Sequence, residues 1–336
     1  KGYQVKRKGG WDTHGLPIEL AVEKTLGITK EDIGKTISVA DYNAACRREV
    51  MKYTDVWNDL TEKMGYWVDL ENPYITYENE YIETLWWILK ELYKKGLLYK
   101  GYTIQPYSPA AGTGLSSHEL NQPGTYKPLK DTTIVAEFRL KRDQVHPAMA
   151  ALFEDENEDT AILAWTTTPW TLPANSALVV GKDIRYVKIR TFNQYTFEPV
   201  SVILAKELVS RYFKSEGQAI PLKDYKQGDK IIPWEIRGEF SGAELVNLRY
   251  HQLLPYVTNE ELEQKAFRVI AGDFVTTEDG TGIVHSSATF GADDFRVSKE
   301  NDVPGVFVKD ENGKDVPIVD KRGRFVKEIG EFGGRF

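Results

Sequence analysis

Cysteine is nearly absent from this sequence of 336 residues, which contains only Cys46. A single thiol excludes an internal disulfide framework and a metal site built from cysteines, and it fits a reducing compartment. Long apolar runs are also lacking: no stretch approaches the ~20 consecutive apolar residues of a membrane-spanning helix, and residues 1–7 have no apolar signal core. We therefore expect a soluble, cytoplasmic protein with no membrane partner.

An excess of basic charge is lacking as well. The chain has 43 Lys and Arg against 50 Asp and Glu, a net charge of −7. A nucleic-acid partner would therefore not be held by overall charge, and short basic clusters such as residues 6–8 and 321–324 fit solvated surface. The apolar fraction of 41% is sufficient for buried cores. We also expect this chain, which starts without Met, to be a piece of a longer protein.

The hydrophobic pattern of the sequence changes at residues 121–128 (NQPGTYKP), a segment rich in turn-forming residues. Before it, apolar spacing predicts one helix from about Ser38 to Met64 and another from about Glu78 to Lys95. After it, short apolar runs and alternation predict strands at 134–140, 187–190, 202–205, 267–270 and 303–308. We therefore expect an incomplete α/β segment over residues 1–127 and a β-barrel-like domain with short helices over 128–336.

The most unusual composition lies at residues 164–175 (AWTTTPWTLPAN), which we call the threonine segment. A β-rich run leads into it, and Pro169 and Pro173 each remove a backbone donor, so regular strand pairing should stop here. Its hydroxyls hold ligands by hydrogen bonds without ionising near neutral pH. Composition alone leaves two interpretations open: the rim of a ligand pocket, or a strand end whose tryptophans are core.

Two further polar stretches frame this segment in the sequence. Residues 279–295 (DGTGIVHSSATFGADDF) carry glycines without the spacing of a phosphate-binding loop. In this stretch His285 fits either a satisfied core histidine or a site residue, and Asp293 and Asp294 fit either helix capping or ligand binding. Near the start, residues 10–19 (GWDTHGLPIE) form a loop that enters a helix, with Asp12 as a capping or ligand-binding candidate.

Together the three stretches resemble the isoleucyl-tRNA synthetases, class I enzymes with a Rossmann-type catalytic domain into which an editing domain is inserted. Residues 10–19 resemble the block downstream of that family's first ATP signature. The threonine segment resembles the editing-site threonine block, and residues 280–285 with 291–294 resemble the opposite wall of the editing pocket. The resemblance covers nearly the whole chain. It implies isoleucine–tRNA ligation by the full-length enzyme and hydrolysis of valine mis-esterified to isoleucine tRNA by the editing domain.

The resemblance also assigns roles to individual residues. Asp294 would pair with the substrate α-ammonium, and His285 would line the side-chain pocket as a steric gate. Thr167 and Thr168 would hold the ester carbonyl and the attacking water. The remaining substrate-binding residues of the editing site would be Trp165, Thr166, Trp170, Thr171, Asn175 and Gly282. Asp12 would contact the isoleucine ammonium in the synthetic site.

The resemblance has gaps that limit what the chain can do. The His-Ile-Gly-His and Lys-Met-Ser-Lys-Ser types of ATP signature do not occur in the sequence, so ATP and Mg²⁺ are expected to serve only the full-length enzyme, with no cofactor in this chain. Ser108 and Ala111 stand where many relatives carry a zinc-binding cysteine pair, so we expect no metal site. His285 is followed by Ser-Ser-Ala instead of the common x-Ala-Pro.

The expected partners are the tRNA 3′ end and its valine and isoleucine moieties, and the expected state is a monomer. A different function remains open, a tRNA 3′-end binding module without catalysis. A generic serine esterase is disfavoured because the chain has no Gly-x-Ser-x-Gly elbow and only five histidines to activate a nucleophile.

Overall fold

The computed structural model describes residues 2–101, 103–154 and 159–336. The chain divides into two compact units, Lys1–Tyr102 and Thr103–Phe336. None of the helices in these described ranges is long and apolar enough to span a bilayer.

The first unit combines two strands with four α-helices. The strands β1 and β2 pair in parallel, with Trp11 opposite Ile75. The elements are β1 (Lys8–Trp11), α1 (Leu16–Leu26), α2 (Val39–Val50), α3 (Thr54–Lys63), β2 (Asp69–Ile75) and α4 (Asn79–Lys94), with a 3₁₀ turn at Lys30–Asp32. A parallel pair flanked by helices is an α/β arrangement, but two strands are too few to identify a Rossmann sheet, which stays a prediction.

Local sequence signals explain where these helices begin and end. Pro17 occupies the first turn of α1, and Gly27 ends that helix in the left-handed conformation at φ 68°. Ser38 caps α2 by accepting a hydrogen bond from the backbone N–H of Asp41. The predicted helix at 78–95 is confirmed as α4.

The single helix predicted over 38–64 is wrong. The structure has two helices there, α2 and α3, separated at residues 51–53. The Thr54 hydroxyl donates to the Met51 carbonyl at 3.0 Å, so a side chain takes up a helix-end acceptor at the break. The apolar periodicity of the sequence continues through residues 51–53, so it could not reveal the break between the two helices.

A broad apolar surface lies on α3 and α4. Trp86 and Trp87 of α4 are 70% and 62% exposed, and Trp57 of α3 is 58% exposed. The helical spacing of α4 predicted its apolar residues as core, and in the described chain this face is open. The pattern marks a surface suited to burial, but it does not say which segment covers it.

The second unit is rich in strands, as its sequence predicted. Its strands are β3 (Tyr107–Ser108), β4 (Thr113–Gly114), β5 (Ile134–Arg139), β6 (Asp159–Thr166), β7 (Ala177–Val180), β8 (Arg185–Phe192), β9 (Pro199–Ala205), β10 (Glu235–Ser241), β11 (Arg268–Ala271), β12 (Ile283–Ser286), β13 (Val308–Lys309) and β14 (Asp315–Val316). The strand predicted at 303–308 is wrong for most of its length, because β13 begins only at Val308.

Short helices connect these strands. They are α5 (Ser117–Leu120), α6 (Met149–Leu152), α7 (Val209–Tyr212), α8 (Ser215–Gln218), α9 (Gly242–Leu245), α10 (Glu260–Lys265) and α11 (Ala292–Glu300), with 3₁₀ helices at Pro169–Ala174, Lys206–Leu208, Leu222–Asp224 and Lys327–Phe332. Most span only one turn, so they derive their stability from packing on the sheet and not from helix propensity.

Eight strands form one mixed sheet in the order β10-β8-β9-β6-β12-β7-β11, with β5 also paired to β6. The sheet curls and closes on itself through the segment 249–250. Leu140, directly after β5, bridges Tyr250, and Arg249 bridges Arg268 of β11. Strands β6, β5, β11, β7 and β12 with this segment therefore form a ring, and β9, β8 and β10 extend one side.

The core fills this curled sheet. The largest fully buried side chains include Phe138, Tyr186 and Tyr250, and strand β7 is buried along its entire length. The ring of Tyr250 contacts Phe138 edge-on at a centroid distance of 5.3 Å. The expectation of a β-barrel-like arrangement with short helices therefore agrees with the hydrogen-bonded topology.

The division between the two units differs from the one that the sequence predicted. The linker at 121–128 lies inside the second unit, which starts at Thr103. Residues 103–127 include the hairpin β3–β4, in which Tyr107 pairs with Gly114. The division into 1–127 and 128–336 stays a prediction.

Candidate active site

The threonine segment joins strands β6 and β7. Strand β6 ends at Thr166, the 3₁₀ helix Pro169–Ala174 follows, and β7 begins at Ala177. The two prolines end regular pairing, as expected from their missing N–H groups. Strand β12 lies between β6 and β7, pairing with β7 in antiparallel register and with β6 at Val284 and Trp165. This topology places His285 against the threonine segment.

Three hydroxyls of the segment lie within hydrogen-bonding reach of one another. The Thr168 backbone N–H donates to Thr166 Oγ1 at 3.0 Å, and the two side-chain oxygens are 3.3 Å apart. Thr168 Oγ1 lies 3.4 Å from Thr171 Oγ1. Thr166 and Thr171 are buried, whereas Thr167 and Thr168 are exposed. Thr167 and Thr168 are therefore the solvent-accessible threonines of the segment, and Thr166 and Thr171 are its buried ones.

His285 lies between two residues of the threonine segment. Its Nε2 is 2.9 Å from Thr171 Oγ1, although the two residues are 114 positions apart in sequence. Its Nδ1 is 2.8 Å from Asn175 Nδ2. Burial lowers the pKa of His285 to about 4, so the imidazole is neutral at pH 7. The two candidate stretches therefore form one site, and His285 is a fully bonded member of it.

Asp294 lies in the first turn of α11, whose N-cap is Gly291. The capping interpretation is wrong in its simple form, because neither Asp293 nor Asp294 is the N-cap residue. The backbone N–H of Ser287 hydrogen-bonds the Asp294 carboxyl, but burial dominates and raises its pKa to about 6. Asp293, its neighbour, is exposed and lies 3.6 Å from Arg296.

The aromatic residues of the threonine segment contact the glycine-rich stretch. Trp170 packs edge-on against Phe290 with ring centroids 4.9 Å apart, and it keeps 45% of its surface exposed. Trp165 is half-buried, and a side chain at Gly280 would come within 2.9 Å of its ring. Trp170 therefore keeps apolar surface exposed, and Trp165 packs against Gly280.

The departure from the family pattern after His285 has a structural counterpart. The Ser287 hydroxyl lies 3.2 Å from Thr289 Oγ1, and both side chains are buried. The loop between His285 and α11 is therefore held in part by this hydroxyl pair, whose members lie on either side of Ala288.

Gly282 is buried in the barrel. Its carbonyl accepts a hydrogen bond from Tyr186 at 2.8 Å, and an added Cβ would lie 2.4 Å from Ala205 Cβ. These contacts explain the glycine by close packing, and its role as a substrate contact stays a prediction.

Asp12 belongs to the first compact unit, whereas the threonine segment, His285 and Asp294 belong to the second. Asp12 is exposed and accepts a long hydrogen bond, 3.5 Å, from the backbone N–H of His14. Beside it, Thr13 Oγ1 and His14 Nδ1 lie 2.9 Å and 3.0 Å from Thr76 Oγ1.

The turn compared above with a zinc-binding cysteine pair is closed by hydrogen bonds. The backbone N–H of Ala111 donates to Ser108 Oγ at 3.2 Å, and that of Gly112 donates to the Ser108 carbonyl at 2.8 Å. Across residues 2–101, 103–154 and 159–336, no three His, Cys, Asp or Glu side chains cluster in a way that could hold a metal ion.

One site residue could not be found from local sequence patterns. The Tyr250 hydroxyl donates to Asn175 Oδ1 at 2.7 Å, although the two residues are 75 positions apart in sequence. Tyr250 lies in a stretch without a motif, and only the closure of the sheet brings it to the threonine segment.

Comparison with known proteins gives the family. Residues 1–278 match the family model described as tRNA synthetases class I (I, L, M and V). The chain belongs to the class I tRNA synthetases. Similar proteins include the isoleucine–tRNA ligases of Cytophaga hutchinsonii, 61% identical over the whole chain, and Bacteroides thetaiotaomicron, 60% identical over 97% of it. This synthetase chain spans 29% and 28% of their lengths.

Solved structures with partial similarity are editing domains of leucyl enzymes. GlLeuRS-CP1 aligns over 50% of this chain and 58% of its own, with 18% identity and a TM-score of 0.36. The P. knowlesi cytosolic leucyl-tRNA synthetase editing domain covers 49% of this chain and 62% of its own, with 16% identity and a TM-score of 0.34. Scores this low do not establish a shared fold.

Proposed function

We propose that this class I tRNA synthetase chain carries an editing site that hydrolyses valine mis-esterified to the 3′ end of isoleucine tRNA. The observation that supports the proposal is the junction of the threonine segment with His285, which lies on the stretch that leads to Asp294 in α11. The relatives named isoleucine–tRNA ligases supply isoleucine as the cognate amino acid, and valine is its analogue that is one methylene smaller. A single methylene provides only about 1–3 kcal/mol of discrimination, the isoleucine–valine pair being the usual illustration, so a second selection step is needed.

Substrate binding would begin at Asp294. Its carboxylate pairs with the α-ammonium of the esterified amino acid, a charge-assisted contact that fixes the orientation of the substrate. Trp165 and Trp170 form apolar walls for the side chain, and His285 limits the depth of the pocket. Valine fits and the larger isoleucine is excluded by size.

Hydrolysis would then proceed by positioning a water. The hydroxyls of Thr167 and Thr168 hold the ester carbonyl and the attacking water, and Thr166 and Thr171 support them. Water adds to the carbonyl carbon, the ester C–O bond breaks, and the released ribose oxygen takes up a proton. The products are free valine and uncharged tRNA. Asn175 would hold the threonine segment in place through its hydrogen bonds to the Ala177 carbonyl and His285.

The synthetic reaction belongs to the longer protein in this proposal. ATP-dependent ligation of isoleucine to tRNA needs ATP and Mg²⁺, and the chain does not contain the ATP signature motifs. Asp12 would contact the ammonium of free isoleucine. We further propose that the longer protein works in the cytoplasm as a monomer.

The proposal is tested by deacylation of valyl- and isoleucyl-tRNA with the chain and with the longer protein. We expect release of valine and retention of isoleucine. Asp294→Asn should lower valine release by about 10²-fold, because an unanchored substrate is misplaced. Asp293→Asn is the matched control and should retain the rate, since Asp293 is exposed and paired with Arg296. Binding of tRNA without hydrolysis by either protein would favour a non-catalytic 3′-end binding module instead.

A further inference from the structure

A continuous relay of polar groups runs from the barrel core to the exposed threonines. Its members are Tyr250, Asn175, His285, Thr171 and Thr168. Successive polar atoms are 2.7 Å, 2.8 Å, 2.9 Å and 2.8 Å apart, the last being the hydrogen bond from the Thr171 hydroxyl to the Thr168 carbonyl. Tyr250 and Asn175 are buried completely or nearly so. Such a relay has a defined direction only if each donor and acceptor is fixed.

The amide of Asn175 fixes the direction. Its Nδ2 lies 3.0 Å from the Ala177 carbonyl and 3.4 Å from the Ser286 carbonyl, two groups that can only accept. Its Oδ1 accepts from the Tyr250 hydroxyl. Burial raises the pKa of Tyr250 well above its usual value, so this hydroxyl keeps its proton. Rotating the amide by 180° would oppose oxygen to oxygen at the two carbonyls, so one orientation is favoured.

The tautomer of His285 follows from that orientation. An amide NH₂ group donates and does not accept, so His285 Nδ1 must offer its lone pair to Asn175. In the neutral ring the proton then resides on Nε2, which donates to Thr171 Oγ1. Thr171 donates in turn to the Thr168 carbonyl. Thr171 therefore does not donate to Thr168 Oγ1, and the other hydroxyl beside that oxygen is Thr166 Oγ1, 3.3 Å away.

We infer that Asn175, oriented by Tyr250 and the two carbonyls, is a positioning residue that fixes His285 as the neutral Nε2–H tautomer. His285 then orients Thr171 and does not take a proton from the attacking water, because Nε2 already carries one and Nδ1 is engaged. The tautomer follows from this geometry alone. Its effect on catalysis rests on the proposed editing function.

The tautomer is tested directly by NMR of the chain labelled with ¹⁵N-histidine, which contains five histidines. His285→Gln identifies the resonances of His285. We expect a protonated Nε2 and an unprotonated Nδ1. In Asn175→Asp the carboxylate accepts, so the proton should move to Nδ1. A protonated Nδ1 in the unmodified chain would overturn the inference, whether or not the chain deacylates tRNA.

Deacylation of valyl-tRNA tests the consequence. Asn175→Asp should lower the rate by about 10²-fold, the scale of a misplaced reacting group. Tyr250→Phe is the structural comparison: it removes one buried hydroxyl but leaves both carbonyls to orient Asn175, so the Nε2–H tautomer should remain. Tyr186→Phe removes an equally buried hydroxyl outside the relay and should also keep the tautomer.

An Asn175→Asp chain with reversed tautomer and undiminished rate would refute the positioning role. An unmodified chain that shows the tautomer but no deacylation would instead contradict the proposed function.

Discussion

Burial acts on both ionisable groups of the site by disfavouring the charged form. It lowers the pKa of His285 to about 4 and raises that of Asp294 to about 6. At pH 7 the imidazole of His285 is therefore neutral, whereas Asp294 is still mostly a carboxylate. A substrate ammonium beside Asp294 would lower its pKa again, because an opposite charge stabilises the carboxylate.

The pH dependence of the proposed editing reaction should therefore follow the ionisation of Asp294. We expect kcat/KM for valyl-tRNA deacylation to rise about tenfold per pH unit below about pH 6 and to level off above it, because the free enzyme must supply a carboxylate. The check is a pH series from 4.5 to about 8 within which Asp294→Asn lacks the inflection. An unchanged inflection in that variant would assign it to another group.

The folding stability of the chain should depend on pH through the ionisation of His285. Because its pKa is lowered in the folded state, the unfolded chain takes up the proton first, and stability falls as the pH drops from 6.5 towards 4. The full effect is about 3 kcal/mol. Asp294 opposes it, since a raised pKa favours the folded state as the pH falls through about 6.

The two contributions are separated by comparison with His285→Gln. We expect the difference in unfolding free energy between the unmodified chain and this variant to shrink on acidification, as measured by urea unfolding at several pH values. A pH-independent difference would mean that folding does not lower the pKa of His285.

Among the elements, strand β12 organises the site because it lies between the two strands that the threonine segment connects. The packing of β12 between β6 and β7 requires a glycine at residue 282, directly before the strand. There φ is 71° and Ala205 leaves no room for a side chain. The sequence placed glycines there, but it could not distinguish close packing from phosphate binding or substrate contact. The distinction depends on Ala205, which is distant in sequence.

Replacing this glycine should be costly. Gly282→Ala incurs backbone strain of about 1–2 kcal/mol and overpacking of about 1–3 kcal/mol. Gly313→Ala is the matched control, because its φ of 74° gives similar strain while nothing lies within 4 Å of the added Cβ. Urea unfolding should therefore show a larger loss for Gly282→Ala. Equal losses would mean that the strand shifts to accommodate the methyl group.

For the whole molecule, the division into two units decides which part carries the site. The threonine segment, His285 and Asp294 all belong to the unit Thr103–Phe336. Residues 103–127 contribute to the packing of this unit as well. A Cβ added at Gly323 would lie 3.1 Å from the Pro109 side chain, so the turn at Pro109 packs closely against residue 323. A boundary at a turn-rich linker is therefore not the only division that the chain permits.

Two shortened chains should locate the boundary. A chain of residues 103–336 should fold and keep the proposed deacylation, because it contains every residue of the proposed editing site. A chain of residues 128–336 loses the contact at Pro109 and should unfold at a temperature about 2–4 °C lower for each kcal/mol lost. Thermal unfolding followed by circular dichroism is the measurement. Equal midpoints would support the division at 127.

The sequence by itself determined the features that depend on neighbouring residues. It placed helix α4, the strand-rich second half, the end of β6 at the prolines, and the three motifs that resemble isoleucyl enzymes. It could not show the break between α2 and α3, since the apolar pattern continued across it. Local signals such as capping, turn chemistry and periodicity act over a few residues, and these are visible in any sequence.

The tertiary structure decided which polar residues meet. Closing the sheet through 249–250 brings Tyr250 to Asn175, and inserting β12 between β6 and β7 brings His285 to Thr171. The threonine segment was therefore open to two interpretations until its partners were known. Burial, and with it the pKa of His285 and Asp294, depends on contacts between distant parts of the chain, so it follows from the fold and not from any local pattern.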